Sequence, residues 1–374
     1  MVNKFNAKSA GKLLGKIRRL PARTGRALAA YWRGRWWHKL IVIVLIAIVL
    51  FIGTMYGVAR WYIYSQSSRP TTLGVSFIPD YARYLGVNPK QTMDALINDL
   101  HVRNFRLTSY WSDIEPTKGQ YNFSQLDWEF AKANAAGAKV TLSIGLRQPR
   151  WPECHAPSWI NTAKPESQWQ PQLKAFMKKV INRYKNNPAL QSYQLENEYF
   201  NGNFGDCHNS SHSRLISEFN LVKKLDSSHP IIISRSNNSP TLIVGQPQPD
   251  IVGVSVYRKV WNDTLYHGYF NYPLPAWYYA SVAGWQKIFT GKPSIIHELQ
   301  AEPWPPHGQT ILQTSLKIQN QTLNAKKLKQ NANFAKATGI KTIYFWGAEY
   351  WYYRWQIEGD KSVWNAAQQI FKQS

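Results

Sequence analysis

From Thr71 onward the chain alternates short apolar runs with longer amphipathic stretches, and no repeat or low-complexity segment interrupts the order. Short apolar runs separated by helical patterns are the signature of α/β architecture with a parallel sheet. Eight candidate strands cover residues 73–77, 105–110, 140–145, 190–195, 231–234, 251–257, 294–297 and 342–346. Between them apolar residues fall at helical spacing: Met93, Leu96, Ile97 and Leu100 share one face, as do Leu173, Phe176, Val180 and Ile181, and Leu215, Ile216, Phe219 and Val222. Further helices fit residues 124–136, 277–288, 323–337 and 362–371. Residues 237–250, with three Pro, carry no such pattern, so one unit lacks its helix. Eight strands with seven crossovers predict a (β/α)8 TIM barrel over residues 71–374. The first turn, SFIPDYARYLG, contains neither GxGxxG nor GxxxxGK[ST], and nucleotide binding is unsupported.

Ahead of the barrel, the first 39 residues hold eleven Lys and Arg and no acid. Residues 40–59 then run for 20 positions without a charge, enough at helical rise to span about 30 Å, the hydrocarbon thickness of a bilayer. Tyr31, Trp32, Trp36 and Trp37 before this run, with Trp61, Tyr62 and Tyr64 after it, match the aromatic belts of a membrane-spanning helix. The expected organisation is a basic cytoplasmic tail (1–39), a single transmembrane helix (40–59) in contact with the lipid bilayer, a linker (60–70) and an outward-facing barrel. A cleaved signal peptide ending near Gly57-Val58-Ala59 is the alternative, although the run is longer than that design uses. Of the formal charge of +24, nearly half therefore belongs to a tail that orients the chain. Residues 61–374 retain 33 basic against 21 acidic residues, or +12, which favours an anionic glycan at close range and no longer calls for nucleic acid as partner.

Cys154 and Cys207 both fall in the outward part. An oxidising exterior allows a disulfide if their Cα atoms come within about 7 Å. Free thiols, or a metal site with His155, His208 and His212, are the alternatives, and no HExxH or CxxC spacing supports a metal.

Barrel chemistry lies at the carboxyl ends of the strands. After the fourth candidate strand the sequence reads SYQLENEYF, with Asn197 and Glu198 past the apolar run; after the seventh it reads PSIIHELQAEPW, with Glu298 at the end. Two carboxylates on one rim are what cleavage of an acetal needs, one to protonate the leaving oxygen and one to attack or stabilise the sugar cation. The 17 Trp exceed what a core requires and offer apolar platforms for sugar rings.

Asn-Glu after strand four with Glu after strand seven resembles the clan A glycoside hydrolases, the retaining (β/α)8 group that includes cellulases, mannanases and β-galactosidases. Trp111 and the run from Asp113 to Asp127, DIEPTKGQYNFSQLD, resemble the group's Trp-x-x-x-Glu-Pro-x-x-Gly-x-Tyr-x-Phe pattern. The resemblance covers roughly residues 71–372. It implies Glu198 as general acid/base, Glu298 as nucleophile, Arg106 and Tyr257 as supports of the nucleophile and Trp346 as the indole floor under the sugar. Asn197 is placed to donate to a sugar hydroxyl, and Trp111, Trp151 and Trp304 to stack on pyranose faces. Glu302 is the competing strand-seven carboxylate, assigned to sugar binding or structure. Glu196 should point the opposite way from Asn197, and Glu115 should stabilise its loop. His297 stands where many relatives carry Thr, and Ser255 lies two before Tyr257 where some carry His, which leaves the substrate open. The implied function is β-glycan hydrolysis without metal or organic cofactor; a non-catalytic glycan-binding protein on the same barrel is the alternative, and transglycosylation is a further outcome.

Overall fold

The computed structural model describes residues 36–373 except 202–204, 208–209, 237–238, 240 and 264–266. Most of the basic tail, with Tyr31 and Trp32, and also His208 lie outside the described residues. The chain divides into two compact units, Met1–Gly57 and Val58–Ser374. The described part of the first is helical, within the element Trp36–Ser65, whose most apolar window has a mean hydropathy of 2.8 and leaves its side chains almost wholly uncovered. This one helix is long and apolar enough to cross a membrane.

The helix runs past the expected boundary at residue 59, and the linker expected over 60–70 is correspondingly shorter. The cause is packing inside the second unit. Ala59 and Tyr62 are buried there, and a Cβ on Gly284 would stand 2.7 Å from Val58 Cγ1 and 3.2 Å from Tyr62 Cβ. Only a glycine lets the backbones approach this closely.

The second unit is a closed barrel of eight parallel strands: β1 (Thr72–Ser76), β2 (Asn104–Thr108), β3 (Lys139–Ile144), β4 (Leu190–Leu195), β5 (Ile231–Arg235), β6 (Ile251–Val256), β9 (Ser294–Gln300) and β10 (Thr342–Trp346). Closure comes from Thr72 to Val75 of β1 pairing with Thr342 to Phe345 of β10. A two-stranded antiparallel ribbon, β7 (Lys259–Asn262) and β8 (Gly268–Asn271), is inserted after β6. All eight candidate strands are present, and among the described residues no helix separates β5 from β6. The principal departure is β9, which continues to Gln300, so that Glu298 sits within a strand and Glu302 two residues beyond it.

Size complementarity fills the barrel interior. Tyr344 lies where a Cβ on Gly74 would be, 2.7 Å from its ring, and its hydroxyl joins Thr141 and Ser192 in a hydrogen-bonded layer. Residues 62–69 lie beside the amino ends of β6, β9 and β10, where Tyr62, Gln66 and Arg69 share a cavity with Ile251, Ser294 and Thr342. The carboxyl ends of the strands, at the opposite end of the barrel, are left for the site.

Candidate active site

Asn197 and Glu198 follow β4 directly. Strand alternation sends Glu196 outward, where it accepts two hydrogen bonds from Arg214 (2.8 and 3.0 Å) on the helix His212–Leu225, as expected. Arg214 also pairs with Glu218, and all three groups are buried. Such a network clamps the chain next to Asn197, because stranding either carboxylate in the interior costs several kcal/mol. Glu198 itself adopts φ +44°, a left-handed backbone that non-glycine residues rarely take. Its N–H donates to Ser234 Oγ (2.8 Å) and its carboxylate accepts from the Ser255 hydroxyl.

Glu298 projects from β9 into the same space. Its Oε1 accepts from Arg106 Nη1 (2.9 Å) and its Oε2 from the Tyr257 hydroxyl (2.6 Å). Burial raises the carboxyl's pKa, but Arg106 and the Tyr257 hydrogen bond outweigh it, and the net shift is downward. His297, whose own pKa burial pushes down to about 3, is neutral near pH 7 and adds no charge there. Arg106 spends its remaining donors on Gln194 (2.6 Å), Ser76 (3.2 Å) and Asn197 (2.7 Å), which fixes the guanidinium on strands β1, β2 and β4 together.

One carboxylate oxygen of Glu198, one of Glu298 and a ring nitrogen of His297 all lie within 4.8 Å of one another. Two carboxylates and an imidazole this close are also a donor set for a cation, but the Arg106 charge at 2.9 Å from Glu298 opposes one. An approach within 4.8 Å is closer to the about 5–5.5 Å of a retaining nucleophile and acid than to the about 6.5–9.5 Å of inverting pairs.

A third carboxylate, not singled out from the sequence, joins the pair. Glu153 follows β3 in the run RQPRWPECH, is buried, and accepts from Asn197 Nδ2 (3.0 Å) while Arg147 Nε lies 3.7 Å away. Its neighbour Cys154 is bonded to Cys207, with Cα atoms 5.4 Å apart, so the disulfide reading of the two cysteines holds and ties this loop to the segment after Glu198. The dense charge and proline of that run at a strand's carboxyl end were the available signal. Burial, then the Glu298 charge, push the Glu153 carboxyl up to about 7. The folded protein thus holds a proton that the unfolded chain has released. The resulting stabilisation is complete below the ordinary carboxyl range and is lost as pH rises through 7. In Glu153→Gln, the stability difference from the parent should therefore change by up to about 3 kcal/mol between pH 4 and 8, read by chemical denaturation. A difference that stays constant across that range refutes the assignment.

The aromatic expectations divide. Trp304 stands perpendicular to Tyr257, ring centroids 5.4 Å apart, at the edge of the centre. Trp346 is on β10 as expected, but one of its faces carries the Arg150 guanidinium at 4.5 Å, which also lies 3.3 Å from the Tyr81 ring and pairs with Glu302 (3.2 and 3.3 Å). Glu302 is thereby held as an ion-pair partner. Trp151 is 65% exposed. Trp111 corrects the expectation of a sugar platform: it is fully buried, stacked on Phe176, and its Nε1 donates to Glu115 (2.7 Å), because its side chain points under the loop it anchors. Glu115 also accepts from Gly119 N and does stabilise that loop.

The comparisons fit this geometry. The Glyco_hydro_42 family model, described as beta-galactosidase, matches residues 90–172, which include β2 and β3. In a β-galactosidase of the psychrophilic Marinomonas ef1, 80% of this chain superposes on 59% of that chain with a TM-score of 0.53 at 13% identity. The chain has the (β/α)8 barrel fold of that enzyme. An exo-β-1,4-mannosidase from an Opitutaceae bacterium superposes equally well, with a TM-score of 0.52, 13% identity, and 80% and 59% coverage, so the barrel itself does not select a sugar. Beta-galactosidase BbgII of Bifidobacterium bifidum is 28% identical over 122 residues, 26% of this chain and 16% of that protein. The chain thus spans less than two thirds of the length of each of these relatives.

Proposed function

We propose that the protein is a membrane-anchored, outward-facing retaining glycoside hydrolase that cleaves β-linked glycans. The observation that carries the reading is the approach of Glu198 and Glu298 within 4.8 Å at the carboxyl ends of β4 and β9, with Glu298 held ionised by Arg106 and Tyr257. Glu298 attacks the anomeric carbon while Glu198 gives its proton to the departing glycosidic oxygen. The bond to the aglycone breaks and a glycosyl-Glu298 ester forms. Glu198, now a carboxylate, takes a proton from water, whose oxygen attacks the same carbon from the opposite face and frees Glu298. Arg106 keeps the nucleophile ionised before attack and stabilises it again on departure. Asn197, held by Arg106, Gln194 and Glu153 and next to Glu198 in the chain, offers its remaining N–H to a sugar hydroxyl.

The matched family model and the relatives point to β-galactosides as the first class to examine, with β-mannosides next. Anchoring rests on the apolar helix and the basic residues before it, which by the positive-inside rule keep the tail in the cytoplasm. The test is turnover of a panel of aryl β-glycosides by the full chain in detergent micelles, with the product anomer followed by proton NMR. A β-anomer released first supports the mechanism. An α-anomer released first, or no hydrolysis of any member, overturns it.

A further inference from the structure

A cavity of about 700 Å³ opens among the segments that follow β1 and β2, outside the catalytic pair. Two consecutive residues in its lining, Trp128 and Glu129, carry buried polar atoms without a hydrogen-bond partner, Nε1 and Oε1. Glu129 is only 1% exposed. It sits on the helix Ser124–Ala135 at the core-facing spacing of Leu126, Phe130 and Ala133, where an apolar residue would pack without cost. A buried carboxyl oxygen left unpaired loses its hydration without a replacement bond, so the position is expensive for the fold alone.

The chemistry of the lining is that of a neutral, hydroxyl-rich ligand. Burial drives the Glu129 carboxyl far up, which favours its protonated, donating form, and burial chiefly raises Asp113 to about 6. Asp80 is already neutralised by Arg83. Trp128 adds a ring and an N–H, and Asn88, whose Oδ1 caps its helix, adds an amide NH2, while the Gln125 amide is bonded to Arg83 and Asp80. Aromatic surface with convergent amides and carboxyls is the recognition set for a pyranose, and the volume falls within the 300–1,000 Å³ typical of small-ligand pockets. The inner edge is Thr108, two residues beyond Arg106 and on the same face of β2, about 7 Å further along the strand than the residue that holds Glu298.

We infer that this cavity is a second saccharide subsite, with Glu129 and Trp128 as its hydrogen-bonding residues, for units of the glycan adjoining the one cleaved. The inference rests on the glycosidase reading above and adds that the preferred substrate is a chain of several sugars. The test compares aryl β-glycosides of one, two and three β-1,4-linked galactose units, and a parallel mannose series, on the full chain in detergent. The readout is the ratio of kcat/KM for the trisaccharide to that for the monosaccharide, in which general loss of activity cancels. In the parent one series should show a ratio of about ten or more, and Glu129→Leu and Trp128→Phe should each return it towards one, a change of about 1.4 kcal/mol. Glu129→Leu should also unfold at the same temperature or higher, since it removes an unpaired buried acid; Glu129→Gln serves if the Leu variant fails to fold. Hydrolysis with no gain from chain length in either series, or variants that keep the parent's ratio, overturns the subsite alone. No hydrolysis of any glycoside overturns the reading on which it rests.

Discussion

Glu298→Gln is expected to lower kcat on an aryl β-glycoside by at least about 10³-fold, or about 4 kcal/mol of transition-state stabilisation. The amide keeps the shape of the carboxylate, with its oxygen placed to accept from Arg106 and its NH2 to donate to the Tyr257 oxygen, but it has no charge with which to form the glycosyl ester. A structural role for Glu298 predicts a shift in unfolding temperature with turnover preserved. Chemical rescue separates the two further. In Glu298→Ala, azide can enter the space left by the carboxylate and attack the anomeric carbon directly, releasing the aglycone and giving the α-glycosyl azide. Unchanged turnover in Glu298→Gln, or a β-azide from Glu298→Ala, would remove Glu298 from the nucleophile role and return Glu302 to consideration, although its pairing with Arg150 argues against it.

Glu198→Ala should show an effect that depends on the leaving group. For a glycoside whose aglycone needs protonation, loss of the general acid should cost about 10²–10⁴ in kcat/KM. For a dinitrophenyl glycoside, whose phenolate departs unprotonated, formation of the glycosyl-enzyme should be nearly unaffected and its hydrolysis should become limiting. Azide then attacks the accumulated ester from the other face and gives the β-glycosyl azide, opposite in configuration to the Glu298→Ala product. Equal losses on both substrates would mean that Glu198 acts by binding or by shaping its loop. That alternative has a structural basis to be tested, because Glu198 holds a left-handed backbone and its N–H is anchored on Ser234.

Glu153 illustrates what was hard to read from the sequence. Strand-end carboxylates at positions 198 and 298 could be found because each follows an apolar run whose end is visible. Glu153 follows eight residues of loop after β3, and nothing local says whether such a residue faces solvent or returns to the centre. Its position is set by contacts distant in sequence, with Asn197 and with Cys207 through its neighbour Cys154. Arg150 and Trp346 make the same point from the other side. The indole was correctly placed on β10, but its covering by a guanidinium from the β3 loop depends on Tyr81, on the short helix Pro79–Tyr84 after β1, and on Glu302, in the loop after β9. Trp111 shows the converse error: proximity in sequence to a strand end does not expose a side chain when the following turn folds over it.

The sequence by itself determined the eight-stranded alternation, an interval after β5 in which the described residues hold no helix, the apolar N-terminal helix and the positions of two carboxylates at or near strand ends. These are local or periodic properties, written in spacing and burial preference along one stretch of chain. The tertiary structure alone decided that the Arg150 guanidinium covers Trp346, that Asn197 is shared with Glu153, and that an unpaired acid on the helix Ser124–Ala135 faces a cavity near the proposed catalytic centre. Each of these depends on which strands become neighbours when β1 pairs with β10, and barrel closure is a property of the whole chain that no single window of sequence contains.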